Sequence, residues 1–413
     1  MIALVSIVMR VYQVIATFCA AVLFAKVLEP EGFGHYSVTL SISTIVAIPI
    51  LIGMNNWFTR SFKEQAYSNY HNVGEVVHIG FKLIAFYLGT VLIALIAVGF
   101  LLYMLDYIDR GKYLLLSCMM IPFIALSGPI SGALLGLERP IQSQLAEYVV
   151  RPTAVLAIAV SFWFKIAYPT WELAIFLCAI AGLVSLVVPL LLLVRTGRLT
   201  VRKFSGSLKP HARAVSLLGA ASGLIVFNRQ IDTVLLGFMV DATDAGIYRA
   251  ASQSAVLITF GSQTVSTLYS TRLVPSKSET KKKTQEYLTE AKKMSLLVAV
   301  SGLIFFLLFG SFFLEYMFGP QYKLGYLPLV ILGGANCFVA YNGAIGQYFL
   351  MRGQEAIIVR VFCKATIANL ILCPILIYLF GMHGAVSATA ITICVWAILT
   401  QVEFLKYQRR IFL

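Results

Sequence analysis

Arginine side chains interrupt two stretches of this 413-residue chain that are otherwise apolar. Arg10 lies inside the first apolar run, and Arg229 lies within the sequence NRQID at residues 228–232. A charge inside hydrocarbon costs at least about 2.5–3.5 kcal/mol unless it faces water, protein or a ligand. Because the planar guanidinium group binds phosphate in a bidentate manner, the chemistry that these residues suggest is anion recognition in a wet cavity.

Each of the two arginines also allows a structural interpretation. Arg10 either snorkels to the nearer membrane surface or lines an internal cavity and binds an anion. Asn228 and Asp232 are four residues apart, and Arg229 and Asp232 are three apart, so all three share one helix face and Gln230 points away from it. Asp232 either neutralises Arg229 in an internal ion pair, orients it towards a cavity, or carries a coupling proton.

Further cations lie near the predicted ends of apolar segments. Positive side chains there either anchor the chain at the membrane surface or form cationic lips that draw an anionic headgroup inward. A later stretch, residues 248–272, is rich in serine, threonine and glutamine, which suits either a wet cavity wall or hydrogen bonds between helices. The additional candidates are Arg60, Arg151, Arg360 and Lys364 for the substrate, and Gln253 and Gln263 for the cavity wall.

No catalytic residue, metal site or cofactor is predicted. Asp232 is the only acid that the pattern places in the middle of an apolar segment, and the five histidines are scattered. The chain has no G-x-x-x-x-G-K-[ST] sequence with which to hold nucleotide phosphates. These observations argue against an enzyme.

The elements that must position these side chains are membrane-spanning helices. Hydrophobic residues make up 59% of the chain, charged residues only 12%, and the mean hydropathy is +0.86. Apolar runs such as 83–103, 174–194 and 296–314 are each long enough to cross about 30 Å of hydrocarbon. The pattern predicts an all-α polytopic membrane protein with about twelve spans.

The net charge of +14 comes from loops and does not indicate nucleic acid binding. Most lysines and arginines fall in one set of alternate loops, so the positive-inside rule predicts that both termini are cytoplasmic. The two most basic loops, 195–213 and 272–293, are predicted to lie against anionic lipid headgroups.

The chain divides into two predicted six-helix bundles, residues 1–195 and 213–413, joined by a basic cytoplasmic linker at 196–212. An even number of crossings per half gives both halves the same orientation, so a pseudo-twofold axis along the membrane normal would relate them. LEPEGFGHYS at 28–37 and VDATDAGIYRA at 240–250 both contain the sequence G-x-Y. We expect the glycines to form tight outer turns, and Tyr36 and Tyr248 to lie in the interfacial aromatic belt.

Three stretches carry a resemblance to a known family: AKVLEPEGFGHYSVTLSIS, IGMNNWFTR and LGAASGLIVFNRQIDTVLLGFMVDATDAGIYRAA. Together they resemble the polysaccharide (O-antigen or lipid-linked oligosaccharide) flippase family of the multidrug/oligosaccharidyl-lipid/polysaccharide exporter superfamily, along essentially the whole chain. Two positions depart from the family pattern, since Lys26 stands where arginine is usual and Glu29 where glycine is usual.

The resemblance implies a secondary transporter that moves undecaprenyl-pyrophosphate-linked oligosaccharide from the cytoplasmic to the periplasmic leaflet of a bacterial inner membrane. The cargo would be a repeat unit of O-antigen, as in lipopolysaccharide, or of capsule or exopolysaccharide, carried by alternating access. Lipid-linked oligosaccharide, membrane lipids and polysaccharide-assembly proteins are the implied partners. The alternatives are a multidrug exporter of the same superfamily and a membrane enzyme of polysaccharide assembly.

Overall fold

The structure is a computed structural model that describes residues 2–66, 73–165, 169–196, 206–270 and 281–412. Within these ranges every regular element is a helix. Two π-helical segments, Pro49–Met54 and Ala146–Val150, and one 3₁₀ turn, Pro320–Gly325, interrupt the α-helices. The α-helices are α1 (Ile2–Ile48), α2 (Asn55–Ala66), α3 (Val73–Met104), α4 (Ile108–Gly136), α5 (Pro140–Leu145), α6 (Arg151–Trp163), α7 (Trp171–Val194), α8 (Lys209–Met239), α9 (Ala242–Ser270), α10 (Lys281–Phe318), α11 (Tyr326–Met351) and α12 (Glu355–Phe412).

The predicted class, a polytopic all-α membrane protein, is confirmed. The described residues contain eight helical stretches that are long and apolar enough to cross a membrane, or nine when the bent helix α8 is included. Helices suit this environment because they satisfy their own backbone hydrogen bonds in lipid. The serine- and threonine-rich helix α9 is not one of the eight. The number twelve stays a prediction.

Two of the helical stretches are too long to be single spans. Val5–Gln65 holds 61 residues, or about 90 Å of helix at 1.5 Å per residue, three times the hydrocarbon thickness. Its backbone breaks at Glu29, which has a φ of 59° and a ψ of 172°. Helix α12 breaks in the same way at Gly381, with a φ of 56°. Each break divides its helix into two arms.

The position of the first break corrects the prediction that glycines form the outer turn. Gly32 and Gly34 lie inside the helix, and the left-handed conformation falls on Glu29 instead. The physical cause is Pro30, whose ring pushes the preceding residue out of the helical region and whose fixed φ suits the start of a new helix. The chain therefore turns before the glycines.

The predicted interfacial position of the two tyrosines is also wrong, because both are buried. The hydroxyl of Tyr36 lies 3.7 Å from Sγ of Cys178, and the hydroxyl of Tyr248 lies 3.1 Å from Oγ1 of Thr389. Each tyrosine therefore tethers its own helix to a helix about 140 residues further along the chain. The two G-x-Y stretches make equivalent internal contacts.

The chain forms two compact units, an N-terminal unit (Met1–Val234) and a C-terminal unit (Leu235–Leu413). In the N-terminal unit, α4 packs against α1, α2, α3 and α7, and α6 packs against α1 and α7. In the C-terminal unit, α11 packs against α9, α10 and α12. Most of the predicted linker at 196–212 lies outside the described residues, and its last four residues belong to α8.

Candidate anion-binding site

Two of the predicted cations, Arg10 and Arg151, come together near an acid that the sequence analysis missed. The charges of both guanidinium groups act on the carboxylate of Glu147. Arg10 also lies over the ring of Tyr148, with 5.6 Å between its Cζ atom and the ring centroid. We call Arg10, Glu147, Tyr148 and Arg151 the Arg10 cluster.

The local backbone of the Arg10 cluster is a π-helix, for a reason that is visible in the sequence. Pro152 has no N–H, so the carbonyl of Tyr148 loses the donor that a regular α-helix would supply. The backbone N–H of Arg151 instead donates to the carbonyl of Ala146, five residues earlier. Such π-helical bulges are frequent at functional sites, and this one carries both Glu147 and Tyr148.

A hydrogen bond fixes α1 against α6 next to the cluster. The hydroxyl of Thr153 donates to the carbonyl of Val149 at 2.6 Å, so its oxygen is free to accept. The hydroxyl of Tyr12 lies 2.7 Å from that oxygen and must be the donor. Tyr12 is two residues from Arg10 and Thr153 is two from Arg151, so this bond joins α1 to α6 close to both cations.

The cluster is open and carries a net positive charge. Arg10 and Glu147 are exposed and Arg151 is half-buried. In the described part of the chain, neither arginine brings a nitrogen within 4 Å of a carboxylate oxygen. Because neither arginine forms an ion pair with Glu147, the guanidinium N–H groups of both can donate to an external anion.

The predicted residues of α8 occupy different environments. Arg229 is exposed, whereas the side chain of Asp232 is only 2% exposed. Nδ2 of Asn228 donates to the carbonyl of Leu224 at 3.0 Å, which ties it to its own helix. Gln230, predicted to point away from this group, accepts a hydrogen bond from Ser41 at 2.9 Å and so links α8 to α1.

Arg60 is already paired. Its Nε lies 2.8 Å from the carboxylate of Glu64 one turn later in α2, and the two side chains are 75% and 61% exposed. An exposed pair of this kind contributes about 0.3–0.5 kcal/mol. Among the predicted cations of the N-terminal unit, Arg60 therefore differs from Arg10 and Arg151, which have no such partner.

Four predicted residues belong to the C-terminal unit. Arg360 and Lys364 are both exposed on α12, and Nε of Arg360 donates to the carbonyl of Ala356 at 3.4 Å. Gln253 is half-buried and Gln263 exposed on α9.

The buried hydroxyls of α9 mostly bond within their own helix. Ser254 and Ser262 donate to carbonyls three or four residues earlier, as hydroxyls in apolar helices commonly do. Ser266 instead lies 3.1 Å from the hydroxyl of Ser295 on α10. Of the two interpretations of this segment, these contacts favour packing for the buried serines.

Two sequence interpretations need correction. Glu147 lies within Pro140–Trp163, one of the stretches long and apolar enough to cross a membrane, so Asp232 is not the only acid inside a span. The signal was Pro140, which occupies the first position of its helix and starts it earlier than hydropathy suggests. Lys292, assigned to a basic loop at 272–293, belongs to α10. Within the described residues, no group of three or more His, Cys, Asp or Glu side chains is placed to hold a metal.

Comparison with known proteins agrees with this architecture. Residues 3–269 match the family described as polysaccharide biosynthesis protein. A probable low-salt glycan biosynthesis flippase of Haloferax volcanii is 24% identical over 174 residues, which are 42% of this chain and 37% of that relative. The chain therefore spans little more than a third of the length of this curated relative.

Solved structures share the fold. Lipid II flippase MurJ, in an inward closed conformation, superposes with a TM-score of 0.77 at 15% identity, covering 97% of this chain and 87% of MurJ. An inward-facing multidrug resistance MATE family transporter of the MOP superfamily gives a TM-score of 0.74 at 15% identity, covering 99% and 98%. The helices therefore follow the arrangement found in transporters of that superfamily.

Proposed function

Because the chain belongs to the polysaccharide biosynthesis protein family, with the flippase resemblance of its motifs confirmed, we propose that it flips a lipid-linked oligosaccharide across a membrane. The specific cargo we propose is an undecaprenyl-pyrophosphate-linked repeat unit of O-antigen, capsule or exopolysaccharide. Transport runs from the cytoplasmic to the periplasmic leaflet of a bacterial inner membrane, with both termini cytoplasmic. The basic loops support this orientation.

The observation that carries the proposal is the open Arg10 cluster. A pyrophosphate diester bears a negative charge on each phosphate, so it can engage two guanidinium groups at once. Arg10 and Arg151 supply these two groups, and the bond between Tyr12 and Thr153 joins their helices close to both. The lipid tail needs no protein cavity, since it stays in the bilayer.

In this mechanism Glu147 is the resting counter-ion. We assign Glu147 the role of balancing part of the charge of Arg10 and Arg151 when no cargo is present, since the charges of both arginines act on its carboxyl group. The phosphates of the cargo then take over the two guanidinium groups, and the carboxylate competes for them again when the cargo leaves. Binding is thereby kept reversible, because a transporter that holds its cargo too tightly does not release it.

The remaining predicted residues act along the same route. We propose that Arg229, oriented by Asp232 and Asn228, receives the headgroup after the Arg10 cluster, and that Gln253 and Gln263 contact sugar hydroxyls. Arg60, Arg360 and Lys364 attract the headgroup towards the entrance. Two six-helix bundles, residues 1–195 and 213–413, alternate the access of the site, and polysaccharide-assembly proteins receive the product.

A multidrug exporter is the second candidate, and Glu147 is the observation that favours it. A cationic drug needs an acid at membrane depth, and Glu147 is exposed within a span-length helical stretch. The two arginines that act on this acid make its surroundings positive overall, which disfavours a cation. A drug-resistance assay in cells that lack their own exporters separates the candidates, since the flippase gives no added resistance.

The direct test is complementation of a bacterial strain that lacks its own O-antigen flippase, scored by surface polysaccharide. We expect the wild-type chain to restore the polysaccharide. Arg151→Ala should lower the export rate about 10- to 100-fold, because a hydrogen bond to a charged group is worth about 1.5–3 kcal/mol. Arg229→Ala should also lower export. Each variant is compared at equal membrane abundance.

Arg139→Ala is the matched control, since it removes the same side chain from an exposed position, where Nη1 of Arg139 donates to the side chain of Gln142 at 3.2 Å. Export by this variant should stay within about twofold of the wild type. Full export by Arg151→Ala would overturn the assignment of the Arg10 cluster, and failure of the wild-type chain to restore polysaccharide would overturn the proposed cargo.

A further inference from the structure

A second group of cations lies in the C-terminal unit, on α10 and in the turn between α11 and α12. Nζ of Lys292 is 4.7 Å from the ring centroid of Phe404 and 5.3 Å from that of Tyr341. Cζ of Arg352 is 4.7 Å from the ring centroid of Tyr348. We call these five residues the Lys292 cluster.

Buried aromatic side chains and the apolar core of the C-terminal unit support the Lys292 cluster. Phe404 and Tyr348 are buried, and their ring centroids lie 5.5 Å apart in an edge-to-face arrangement. Ala291, next to Lys292, is fully buried in the same apolar core. Arg352 ends α11, where its backbone N–H donates to the carbonyl of Phe349 at 3.2 Å. Lys292 is thus held by a packed helix, and Arg352 by the short turn that joins α11 to α12.

Among the described residues, neither cation has a carboxylate partner. Across the described residues, no carboxylate oxygen lies within 4 Å of Lys292 or Arg352. Nε of Arg352 is buried, and no described residue accepts a hydrogen bond from it. Lys406, on the same helix as Phe404, has such a partner, since its Nζ lies 3.6 Å from the carboxylate of Glu403.

Aromatic rings alone do not neutralise the charges of Lys292 and Arg352. A ring face attracts a cation by about 0.5–2 kcal/mol, but it leaves the full positive charge and most N–H donors unsatisfied. Lys292 lies within Gln285–Phe318, a stretch apolar enough to cross a membrane. A cation within an apolar stretch of this kind is stabilised when it binds an anion from outside the protein.

We propose that the Lys292 cluster binds the phosphate of an anionic membrane lipid. Basic pockets between transmembrane helices bind such headgroups, and the exposed ring of Tyr341 can pack against the glycerol and upper acyl chain. The contact is separate from the Arg10 cluster and from the flipped cargo. Its role is to stabilise α10, α11 and α12 in a membrane that contains anionic lipid.

The test uses the full-length protein purified in a neutral detergent. Thermal unfolding midpoints and lipid retention by native mass spectrometry are measured with phosphatidylglycerol, with phosphatidylcholine and with sodium phosphate. For the wild type we expect phosphatidylglycerol to raise the midpoint and to be retained, and the other two additives to do neither. Lys292→Met should weaken phosphatidylglycerol binding about fivefold, as expected for one basic residue near a headgroup.

Lys293→Met is the matched control, because Lys293 is the next residue in the chain, carries the same charge and is exposed. This variant should bind phosphatidylglycerol like the wild type. Lys292→Arg, which keeps the charge, should retain most of the binding, and it guards against a folding defect in Lys292→Met. Arg352→Met should weaken binding to a similar extent as Lys292→Met.

Three results would overturn the proposal. Equal losses of phosphatidylglycerol binding in Lys292→Met and Lys293→Met would mean that the lipid responds only to the overall positive charge of the surface. An equal response to sodium phosphate would assign the site to a free phosphate instead of a lipid. Retention of phosphatidylcholine to the same extent as phosphatidylglycerol would remove the requirement for an anionic headgroup.

Discussion

The Arg10 cluster and the Lys292 cluster both hold cations within helices apolar enough to cross a membrane, but they balance that charge differently. Arg10 and Arg151 feel the carboxylate of Glu147, whereas Lys292 and Arg352 lie over aromatic rings. A carboxylate is a full negative charge that competes with an incoming anion, and a ring face does not compete. The first arrangement suits binding followed by release, and the second suits lasting occupancy.

The largest expected effect separates these two roles directly. Replacing both Arg10 and Arg151 with alanine should slow translocation of a lipid-linked glycan at least about 100-fold, since two charge-assisted contacts are lost. Replacing both Lys292 and Arg352 with methionine should leave that rate within about twofold in neutral lipid. The measurement is the initial rate of translocation in proteoliposomes of phosphatidylcholine.

Circular dichroism and the recovered yield of each double variant check that the protein is folded. Anionic-lipid binding, measured on the same preparations, should show the opposite pattern, with the loss confined to the Lys292 and Arg352 variant. Equal falls in translocation for both double variants would remove the functional distinction between the clusters.

A smaller effect tests the role of the carboxylate. Glu147→Gln removes the competing charge while keeping the shape of the side chain, so the cargo should bind about tenfold more tightly. Release should slow for the same reason. We therefore expect both KM and kcat to fall in the proteoliposome assay. This is the pattern of a variant in which the carboxylate no longer competes with the cargo for the arginines.

Glu64→Gln is the control for that experiment, because it removes an exposed carboxylate that already pairs with Arg60. Its kinetic constants should match those of the wild type. A higher KM for Glu147→Gln would mean that the carboxylate orients the arginines for binding instead of competing with the cargo.

Sequence reasoning found the two cations of the Arg10 cluster but not its acid. Arg10 and Arg151 were visible because an arginine in or near an apolar segment is costly and therefore conspicuous. Glu147 was missed because hydropathy alone placed the start of its helix too late. The π-helix that Pro152 imposes depends on backbone hydrogen bonding, which hydropathy does not record.

The second cluster was hidden for a different reason. Lys292 follows a run of lysines that reads as a solvated loop, and only the packing of α10 against α11 and α12 brings it over Phe404 and Tyr341. The helical class and the membrane location followed from composition, since apolar runs of this length leave few alternatives. Contacts between distant helices, such as Tyr36 with Cys178, have no local signature.

The smallest expected effects concern the two helix breaks, one in each unit. The break at Glu29 ends the arm that carries Arg10, and the break at Gly381 begins the arm that carries Phe404. Glu29 adopts a φ of 59° and a ψ of 172°, a conformation that costs a residue with a side chain about 1–3 kcal/mol. Glu29→Gly should relieve this strain and stabilise the protein by about 1 kcal/mol after the added entropy of the unfolded chain.

Gly381→Ala should have the opposite sign, because it places a side chain at a φ of 56° and a ψ of −132°. Both changes are measured as shifts of the thermal unfolding midpoint in detergent. Gly334→Ala, inside α11 with open space around an added Cβ, controls for the general preference of helices for alanine and should stabilise slightly. A lower midpoint for Glu29→Gly would mean that the side chain of Glu29 stabilises the turn by more than its backbone strain costs.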